Sequence, residues 1–355
     1  MGGHLARGRP PHDGGPLGSP VDAIVLVGGQ GTRLRPLTAY RHKSLVPLLN
    51  RPAIEYLFDW LERSGFERVI LALGQANEDL AQAFPEGRRG AISLLPIQER
   101  ERLESGGAIR HAVRTAGIEG RFAVLNGDIY VDFDFQPALA RHIERGADLT
   151  MALTGLPDPS AFGVAVVDED GLITGFVEKP PPGTAPSRLV NAGVWIFEPG
   201  LVDEIPPGAV RVEETLFPSL VARRRTVLGY QFDGVWADLG TPARYLAVSR
   251  ELLGQSNAVA PGAKLSATGH VSGSAIGPDC QLQMGSEVTG SILWERVTVG
   301  AGATVSGSIL ADGVTVGANA SLNGVVAGRG AMFAPGASAG PGTVLEPGAR
   351  YDGPG

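Results

Sequence analysis

The chain has 355 residues, 43% hydrophobic and 19% charged, which is enough for a large core and predicts about two domains. The formal net charge of −7 argues against a nucleic-acid partner, which would need a basic face, and no apolar run approaches the roughly 20 residues that span a membrane. The single cysteine, Cys280, excludes an internal disulfide and fits a reducing cytoplasm, where we expect the protein to reside.

Residues 1–20 are dominated by Gly, Pro, His and Arg and carry almost no apolar periodicity. Such a composition cannot bury enough apolar surface to fold, so we expect a disordered N-terminal extension. The segment also lacks the apolar core of a secretory signal peptide, which agrees with the cytoplasmic expectation.

The first predicted element is a buried parallel strand at Asp22–Val27, which runs directly into the glycine-rich segment 28–31. Glycine lets the backbone turn at positive φ and lets a ligand approach the peptide N–H groups closely. Arg33, Arg35 and Lys43 add three cations nearby. Together these features indicate a polyphosphate site, because oriented amides and positive charge both stabilise anionic oxygens. The spacing matches neither the dinucleotide-binding fingerprint nor the Walker A loop.

Strands and helices then alternate up to about residue 125. The predicted helices are 52–63, 77–84 and 106–116, and the predicted strands are 68–73, 91–97 and 122–125. This alternation indicates a mostly parallel sheet with helices on both faces. In such sheets ligands bind beyond the carboxyl ends of the strands, where both the glycine-rich segment and 126–128 fall.

The region 147–235 instead shows short strands separated by turns. The predicted strands are 149–154, 163–167, 173–177, 189–197 and 226–232. We interpret them as antiparallel additions to the sheet that build the second side of the pocket. A helix at 242–253, with Thr241 as its N-cap before Pro242, is predicted to close the domain.

From about residue 257 an internal repeat replaces the helical pattern. Four similar segments begin 17 residues apart, at Val271, Val288, Val305 and Leu322, and a further apolar residue follows in each unit at Leu282, Val299, Val316 and Phe333. Apolar residues kept in register predict stacked coils that bury them in one column. We expect four or five coils, and an exposed apolar face that favours a homo-oligomer.

The segment Gly28-Gly29-Gln30-Gly31-Thr32-Arg33-Leu34-Arg35-Pro36-Leu37-Thr38 resembles the signature of the sugar-1-phosphate nucleotidyltransferases, or NDP-sugar pyrophosphorylases. The 17-residue units resemble hexapeptide repeats. The resemblance implies an α/β fold, with a Rossmann-like, mixed, mostly parallel sheet in a nucleotidyltransferase domain at 21–254. A left-handed parallel β-helix at 255–355 follows it.

The resemblance also implies a reaction. A nucleoside triphosphate and a sugar 1-phosphate would condense to an NDP-sugar and pyrophosphate with the help of Mg²⁺, and the most similar branch uses GTP and mannose 1-phosphate. We expect Arg33 and Lys43 to be catalytic, with Arg33 bridging the α-phosphate and the leaving pyrophosphate. Asp128 and Asp238 match the metal positions of the family. A carboxylate at the end of a buried strand, such as Asp128, also suits Mg²⁺ on chemical grounds.

The remaining predicted contacts fall into two groups. The nucleotide-binding residues are Gly28, Gly29, Gly31, Thr32, Glu99, Gly106 and Gly107, and the residues expected to bind the sugar phosphate are Gly163, Glu178, Lys179 and Asn191. Glu99 can accept hydrogen bonds from guanine N1–H and N2–H, whereas a pyrimidine imide also needs a donor, which the neighbouring Gln98 would supply.

The sequence departs from the family pattern at three positions. His42 and Ser44 stand where prolines usually flank the catalytic lysine, and Glu104 stands where a glycine is usual. Two alternatives remain open: a glucose-1-phosphate thymidylyl- or uridylyltransferase, and a non-catalytic regulatory subunit that binds nucleotide sugars. Because the repeat region offers only His270 as a basic catalyst, we expect the β-helix to be structural rather than an acyltransferase.

Overall fold

The computed structural model describes residues 21–29, 31–74 and 78–353, so the predicted extension at 1–20 and the predicted helix start at Asn77 lie outside the described residues. The strands of the N-terminal domain are β1 (Asp22–Val27), β2 (Pro47–Leu48), β3 (Arg51–Pro52), β4 (Arg68–Leu73), β5 (Arg88–Arg89), β6 (Ile92–Gln98), β7 (Phe122–Asn126), β8 (Ile129–Asp132), β9 (Leu149–Gly155), β10 (Gly163–Val167), β11 (Ile173–Glu178), β12 (Leu189–Phe197), β13 (Val227–Gln231) and β14 (Val235–Asp238).

The helices of this domain connect and cover those strands. They are α1 (Ala53–Arg63), α2 (Glu78–Ala83), α3 (Glu104–Ala116), α4 (Phe135–Glu144), α5 (Leu216–Ala222) and α6 (Pro242–Leu253), together with 3₁₀ helices at Thr32–Leu34, Lys43–Leu45 and Pro199–Glu204. Thr241 caps α6 as predicted, since its side chain accepts a hydrogen bond from the Arg244 amide.

A single mixed sheet forms the centre of the domain, in the order β11-β10-β12-β7-β1-β4-β6-β5; in addition β9 pairs with β12, and β13 pairs with β9. Strands β7, β1, β4 and β6 are parallel, and β12 joins β7 in the antiparallel sense. Side chains of β1 alternate between two cores: Ala23, Val25 and Val27 face α1 and α4, and Ile24 faces α3 and α5. The predicted α/β class with helices on both faces is confirmed.

Three details differ from the sequence-based expectation. β13 pairs with β9 in parallel, not as an antiparallel addition. Parallel pairing needs a long crossover between the two strands. The chain between β9 and β13 contains β10, β11, β12 and α5, which is long enough for one. Helix α4 was not predicted, and β8 and β14 form a separate two-stranded ribbon.

The C-terminal domain is a three-sided parallel β-helix, the left-handed form that hexapeptide repeats build. Its strands are β15 (Ala258–Val259), β16 (Lys264–Leu265), β17 (His270–Ser272), β18 (Ala275–Ile276), β19 (Gln281–Leu282), β20 (Glu287–Thr289), β21 (Ile292–Leu293), β22 (Thr298–Val299), β23 (Thr304–Ser306), β24 (Ile309–Leu310), β25 (Thr315–Val316), β26 (Ser321–Asn323), β27 (Val326–Ala327), β28 (Met332–Phe333), β29 (Ser338–Ala339), β30 (Val344–Leu345) and β31 (Arg350–Tyr351).

The described strands make five complete coils, within the four or five expected, and two further strands of a sixth. The 17-residue pattern does not include the two end coils. At the start, β15 and β16 precede the first Ser-Gly-Ser segment, and at the end one extra residue separates Val326 from its partner Val344. The predicted column is confirmed: Leu282, Val299, Val316 and Phe333 are at most 3% exposed and pack together.

A buried serine ladder joins successive coils. Ser291 donates to the Thr289 carbonyl and accepts a hydrogen bond of 3.1 Å from the Ser308 amide, and Ser274 and Ser308 repeat this pattern. The ladder explains the serine that follows a glycine at the same point of three successive repeats, because each hydroxyl satisfies an amide of the next coil.

One sheet of the β-helix, β15-β18-β21-β24-β27-β30, packs against the N-terminal domain, and we call it the docking sheet. Its outward residues Ala275, Ile292 and Ile309 form one apolar cluster with Leu34, Leu37, Val46 and Leu48 of the segment that follows the glycines, and with Tyr245 and Val248 of α6. The apolar face that suggested a homo-oligomer is thus largely covered within the chain itself.

Polar contacts reinforce this interface. Arg41 bonds Asp312 at 3.0 Å and lies 5.1 Å from the ring centroid of Trp294. The Trp294 indole N–H donates to the Tyr245 hydroxyl, which in turn donates to the Pro47 carbonyl. Within the described residues, every helix is too short or too polar to cross a bilayer.

Candidate active site

The glycine-rich segment lies at the carboxyl end of β1, as predicted. Gly28 and Gly29 are exposed, and Gly31 adopts φ 63° at the start of the 3₁₀ helix Thr32–Leu34. The Thr38 hydroxyl fixes that turn by donating to the Gly31 carbonyl at 2.7 Å. A Cβ on Gly29 would lie 2.9 Å from Lys43 Nζ, so the glycine permits the lysine to approach the backbone.

Lys43 and Asp128 form an ion pair of 2.7 Å beside this loop, and both side chains are about 15% exposed. Burial would raise the pKa of Asp128, but the Lys43 ammonium and the Arg33 guanidinium hold that pKa below its ordinary value. The carboxylate is therefore ionised at neutral pH. Lys43 and Arg33, which are predicted to be catalytic, thus both lower the pKa of Asp128, which is predicted to bind metal.

Asp238 reaches the same place from another element. It ends β14, opposite Ile129 at the start of β8, and the Leu239 amide bonds the Asp128 carbonyl. Asp238 Oδ1 accepts a hydrogen bond from the Gly240 amide and lies 3.4 Å from an Arg244 nitrogen. The two-stranded ribbon thus brings two carboxylates to the cavity wall.

This donor set fits Mg²⁺ bound jointly with a substrate. Within the described residues, no group of three or more His, Cys, Asp or Glu is arranged to hold a metal ion. Mg²⁺ commonly uses one or two carboxylates, completing its octahedron with phosphate oxygens and water. Asp128 and Asp238, both in the wall of one cavity, would supply those two carboxylates.

Glu99 contributes a buried carboxylate to the cavity, directly after β6. Its side chain accepts a hydrogen bond from the Leu103 amide at 3.2 Å, and it is 6% exposed. Burial raises the pKa of Glu99 above its ordinary value, and the Leu103 amide opposes that rise. Gln98 is exposed instead and donates to the Gly74 carbonyl, outside the residues that line the cavity.

The predicted residues for the sugar phosphate line the same cavity. Gly163 on β10 pairs directly with Glu178 at the end of β11, and Glu178 binds Lys179 at 2.9 Å. Asn191 on β12 uses its Oδ1 to accept bonds from the Gly193 amide and the Trp195 indole. Its Nδ2 amide group is then the donor available to a ligand.

Sequence reasoning missed two residues of this wall, Arg211 and Glu213. Arg211 lies 3.4 Å from Glu178, and Glu213 accepts a 2.5 Å hydrogen bond from Ser105 at the start of α3. Burial raises the pKa of Glu213, and the Ser105 bond opposes that rise. The available signal was a charged run, Arg211 to Glu214, directly before the apolar helix α5.

Three predicted nucleotide contacts are not among the lining residues. Gly31 turns the backbone behind Thr32, and Gly106 and Gly107 lie inside α3 against segment 208–210. A Cβ on Gly107 would lie 2.3 Å from the Gly208 carbonyl oxygen, so this glycine permits close packing of α3. Their contact with a nucleotide stays a prediction.

Taken together, the lining residues describe a polar cavity of about 430 Å³. Gly28, Gly29, Thr32, Arg33 and Lys43 line one part, and Gly163, Glu178, Lys179, Asn191 and Arg211 line another; Glu99, Asp128 and Asp238 also contribute. Such a volume suits a small ligand. Its several cations and its bare backbone suit anionic groups.

Comparisons with known proteins agree with this fold. A family model described as nucleotidyl transferase matches residues 22–255, and one described as GlmU-like, C-terminal hexapeptide matches residues 259–347. Because the first match covers more than half of the chain, the chain belongs to the nucleotidyl transferase family.

Curated relatives share about a third of their residues with this chain. The mannose-1-phosphate guanylyltransferase catalytic subunit beta of Drosophila melanogaster is 33% identical over 233 residues, 65% of this chain and 62% of the relative. The mannose-1-phosphate guanylyltransferase of Mycobacterium tuberculosis is 34% identical over 240 residues, 66% and 65% of the two chains. A UTP–glucose-1-phosphate uridylyltransferase of Synechocystis is 31% identical over 247 residues, 66% and 63% of the two chains. The matches thus span slightly less than two thirds of each relative.

Solved structures share the fold of the N-terminal part. HddC from Yersinia pseudotuberculosis, solved also in complex with GMP-PN, has a TM-score of 0.57 at 24% identity and covers 65% of this chain and 99% of its own. A putative glucose-1-phosphate thymidylyltransferase from Bacillus anthracis has a TM-score of 0.59 at 21% identity, with coverages of 65% and 94%.

Proposed function

We propose that this protein transfers a nucleotidyl group from a nucleoside triphosphate to a sugar 1-phosphate, and that the substrates are GTP and mannose 1-phosphate. A phosphate oxygen of the sugar attacks the α-phosphorus, the bond to the β-phosphate oxygen breaks, and GDP-mannose and pyrophosphate form. The observation that carries the proposal is one cavity that contains two separate cationic groups, Arg33 with Lys43 and Lys179 with Arg211.

The nucleotide side supplies positive charge where the transition state becomes most negative. Arg33 and Lys43 bind the α-phosphate and the leaving pyrophosphate, and the amides of Gly28 and Gly29 orient the triphosphate. A Mg²⁺ ion held by Asp128 and Asp238 would neutralise phosphate charge. Positioning and charge suffice for this chemistry, which needs no covalent enzyme intermediate.

The sugar side brings the second anion to the first. Lys179 and Arg211 bind the phosphate of the sugar 1-phosphate, and the carboxylate of Glu178 accepts from sugar hydroxyls. The Asn191 amide donates to the sugar, and Gly163 leaves space for the ring. Glu178 holds both cations, at 2.9 and 3.4 Å, so it also fixes the geometry of the phosphate site.

Glu99 supports guanine as the base. Its carboxylate is buried at the nucleotide side and presents acceptors only, which match N1–H and N2–H of guanine. Relatives named as mannose-1-phosphate guanylyltransferases, and a solved structure of the same fold that contains GMP-PN, support the same assignment.

The second candidate is a uridylyl- or thymidylyltransferase that acts on glucose 1-phosphate. The similarity to the Synechocystis uridylyltransferase, at nearly the same identity, favours it. The regulatory-subunit alternative has less support, because Arg33, Lys43, Asp128 and Asp238 all line the cavity.

The decisive test measures pyrophosphate release by the full chain with Mg²⁺, over a matrix of four nucleoside triphosphates and several hexose 1-phosphates. We expect the highest kcat/KM with GTP and mannose 1-phosphate. A preference for UTP or dTTP would replace the guanylyl assignment by the second candidate. No turnover with any pair would overturn the reaction class.

Glu99→Gln tests the base contact. The glutamine side chain has one donor group and one acceptor group. We therefore expect kcat/KM for GTP to fall at least tenfold and the ratio of kcat/KM for UTP to that for GTP to rise. Gln98→Ala is the matched control, since its side chain lies outside the cavity wall and should leave the preference unchanged. An unchanged preference in Glu99→Gln would remove Glu99 from the base site.

A further inference from the structure

Two unpaired polar atoms flank Lys43. In the part of the chain that the structure describes, the buried side-chain atoms without a hydrogen-bond partner are His42 Nε2 and Ser44 Oγ. His42 is 8% exposed and Ser44 is fully buried. Leaving a buried donor unpaired is costly, so such an atom in a folded protein calls for a partner that arrives later.

The surroundings of His42 determine which ring nitrogen carries the proton. Nδ1 accepts a 3.2 Å hydrogen bond from the Ser44 amide, so the hydrogen of the neutral ring is on Nε2. Burial lowers the pKa of His42, and the neighbouring Lys43 ammonium lowers it further, so the ring is neutral at physiological pH. The unpaired atom is therefore an N–H donor.

The backbone of the glycine-rich segment lies beside that donor. The Gly29 carbonyl lies near enough to the imidazole to raise the pKa of His42 as a backbone hydrogen-bond acceptor does, but the contact with Nε2 falls short of full hydrogen-bond geometry. Lys43 Nζ lies close to the same glycine. Gly29 is exposed to the cavity where the triphosphate is proposed to bind.

The anchor of His42 is independent of the unpaired atom. Its backbone N–H donates to Asp79 at 2.9 Å, and its φ of −59° would also suit the proline that is usual in the family. A proline would lose both the Asp79 bond and the cap on the Ser44 amide. The ring is thus held in place before any ligand arrives.

We propose that His42 is a positioning residue of the nucleotide site, whose Nε2–H hydrogen-bonds the Gly29 carbonyl in the triphosphate-bound enzyme. This bond fixes the orientation of the Gly29 peptide beside the phosphates and satisfies the donor that is unpaired in the free protein. The inference rests on the proposed function, because it takes the triphosphate as the ligand of this segment.

Two substitutions of His42 separate its ring nitrogens. His42→Asn places an acceptor near Nδ1 and keeps the cap on the Ser44 amide, but it removes the donor at Nε2. We expect its Tm without ligand to stay unchanged or rise, and its KM for GTP to rise at least tenfold. The KM for the sugar 1-phosphate should change less than twofold. His42→Gln places a donor near Nε2 and should restore the KM for GTP to within about threefold of the wild type.

The Tm shift caused by GTP and Mg²⁺, without sugar phosphate, reads out binding independently of turnover. We expect a smaller shift in His42→Asn than in the wild type or His42→Gln. Ser44→Ala is the matched control, since it removes the other unpaired atom beside Lys43 and should keep the wild-type shift.

Equal shifts in His42→Asn and the wild type would overturn the role of His42. An equally weak shift in Ser44→Ala would do so too, because the effect would then belong to packing around Lys43. If the wild type shows no shift with any nucleoside triphosphate, the proposed function fails and this inference with it.

Discussion

Glu104 and Lys179 both adopt backbone conformations that glycine reaches more easily. Their φ angles are 56° and 47°, in the left-handed region, and both side chains line the cavity. A side chain in this region costs about 1–2 kcal/mol. Such strain gathers at functional sites, where the surrounding structure enforces it. It also explains why a glycine is usual at position 104 in the family that the sequence resembles.

Replacing Glu104 by glycine should therefore stabilise the protein. We expect Glu104→Gly to raise the free energy of unfolding by roughly 1 kcal/mol, because relief of the positive φ outweighs the extra freedom of glycine in the unfolded chain. The lost ion pair with Arg102 contributes little, since that arginine is 79% exposed.

Urea denaturation of both proteins measures this difference. Glu101→Gly, nearby but at negative φ, should be neutral or destabilising and serves as the control. Equal effects of the two substitutions would refute the strain argument.

Most cavity residues could be found from the sequence, and the exceptions have a physical cause. Asp128 comes two residues after β7, and Arg33 and Lys43 lie in the segment that follows β1, so their place at one end of the sheet was predictable. Arg211 and Glu213 sit in a loop with no periodicity, and only tertiary packing against α3 brings them to the cavity.

Among the elements, the coils of the β-helix depend on the serine ladder. In Ser291→Ala the Ser308 amide stays buried without a partner, so we expect a loss of about 1–3 kcal/mol in the free energy of unfolding. Thermal and urea denaturation, followed by circular dichroism, measure it. Ser306→Ala removes an exposed serine from the same repeat and should change stability by less than about 0.5 kcal/mol. A similar loss in both variants would contradict the ladder.

The sequence of the repeat also indicates which sheet of the β-helix is covered. Strands of the docking sheet hold two consecutive apolar residues, as in Ile292–Leu293 and Ile309–Leu310, whereas strands such as Thr298–Val299 hold one. Because neighbouring residues of a strand point to opposite faces, two in a row indicate burial on both faces. The covering partner, however, could be identified only in three dimensions.

For the whole molecule, Tyr245 connects three parts. It lies on α6, donates to the Pro47 carbonyl of the N-terminal domain and accepts from Trp294 of the β-helix. The residue is fully buried, so both partners depend on its hydroxyl. The two domains are therefore expected to unfold together.

Tyr245→Phe removes that hydroxyl and leaves two buried polar groups unpaired. We expect the free energy of unfolding to fall by about 2–4 kcal/mol, and calorimetry to show the single transition broaden or split. Tyr351→Phe, which loses one exposed bond to the Ser338 carbonyl, should keep the single transition. If Tyr245→Phe unfolded in the same single transition and at the same Tm as the wild type, the interface would not depend on this residue.

The docking sheet contacts the N-terminal domain only along part of its length. Ala275, Ile292 and Ile309 are at most 2% exposed, but Val344, which continues the same row of outward residues, is 56% exposed. Within the β-helix, each coil packs only on its neighbouring coils. Whole 17-residue units beyond this contact could thus be gained or lost without any change at the cavity of the N-terminal domain. Gene duplication within this chain can therefore vary the length of one domain while the other keeps its chemistry.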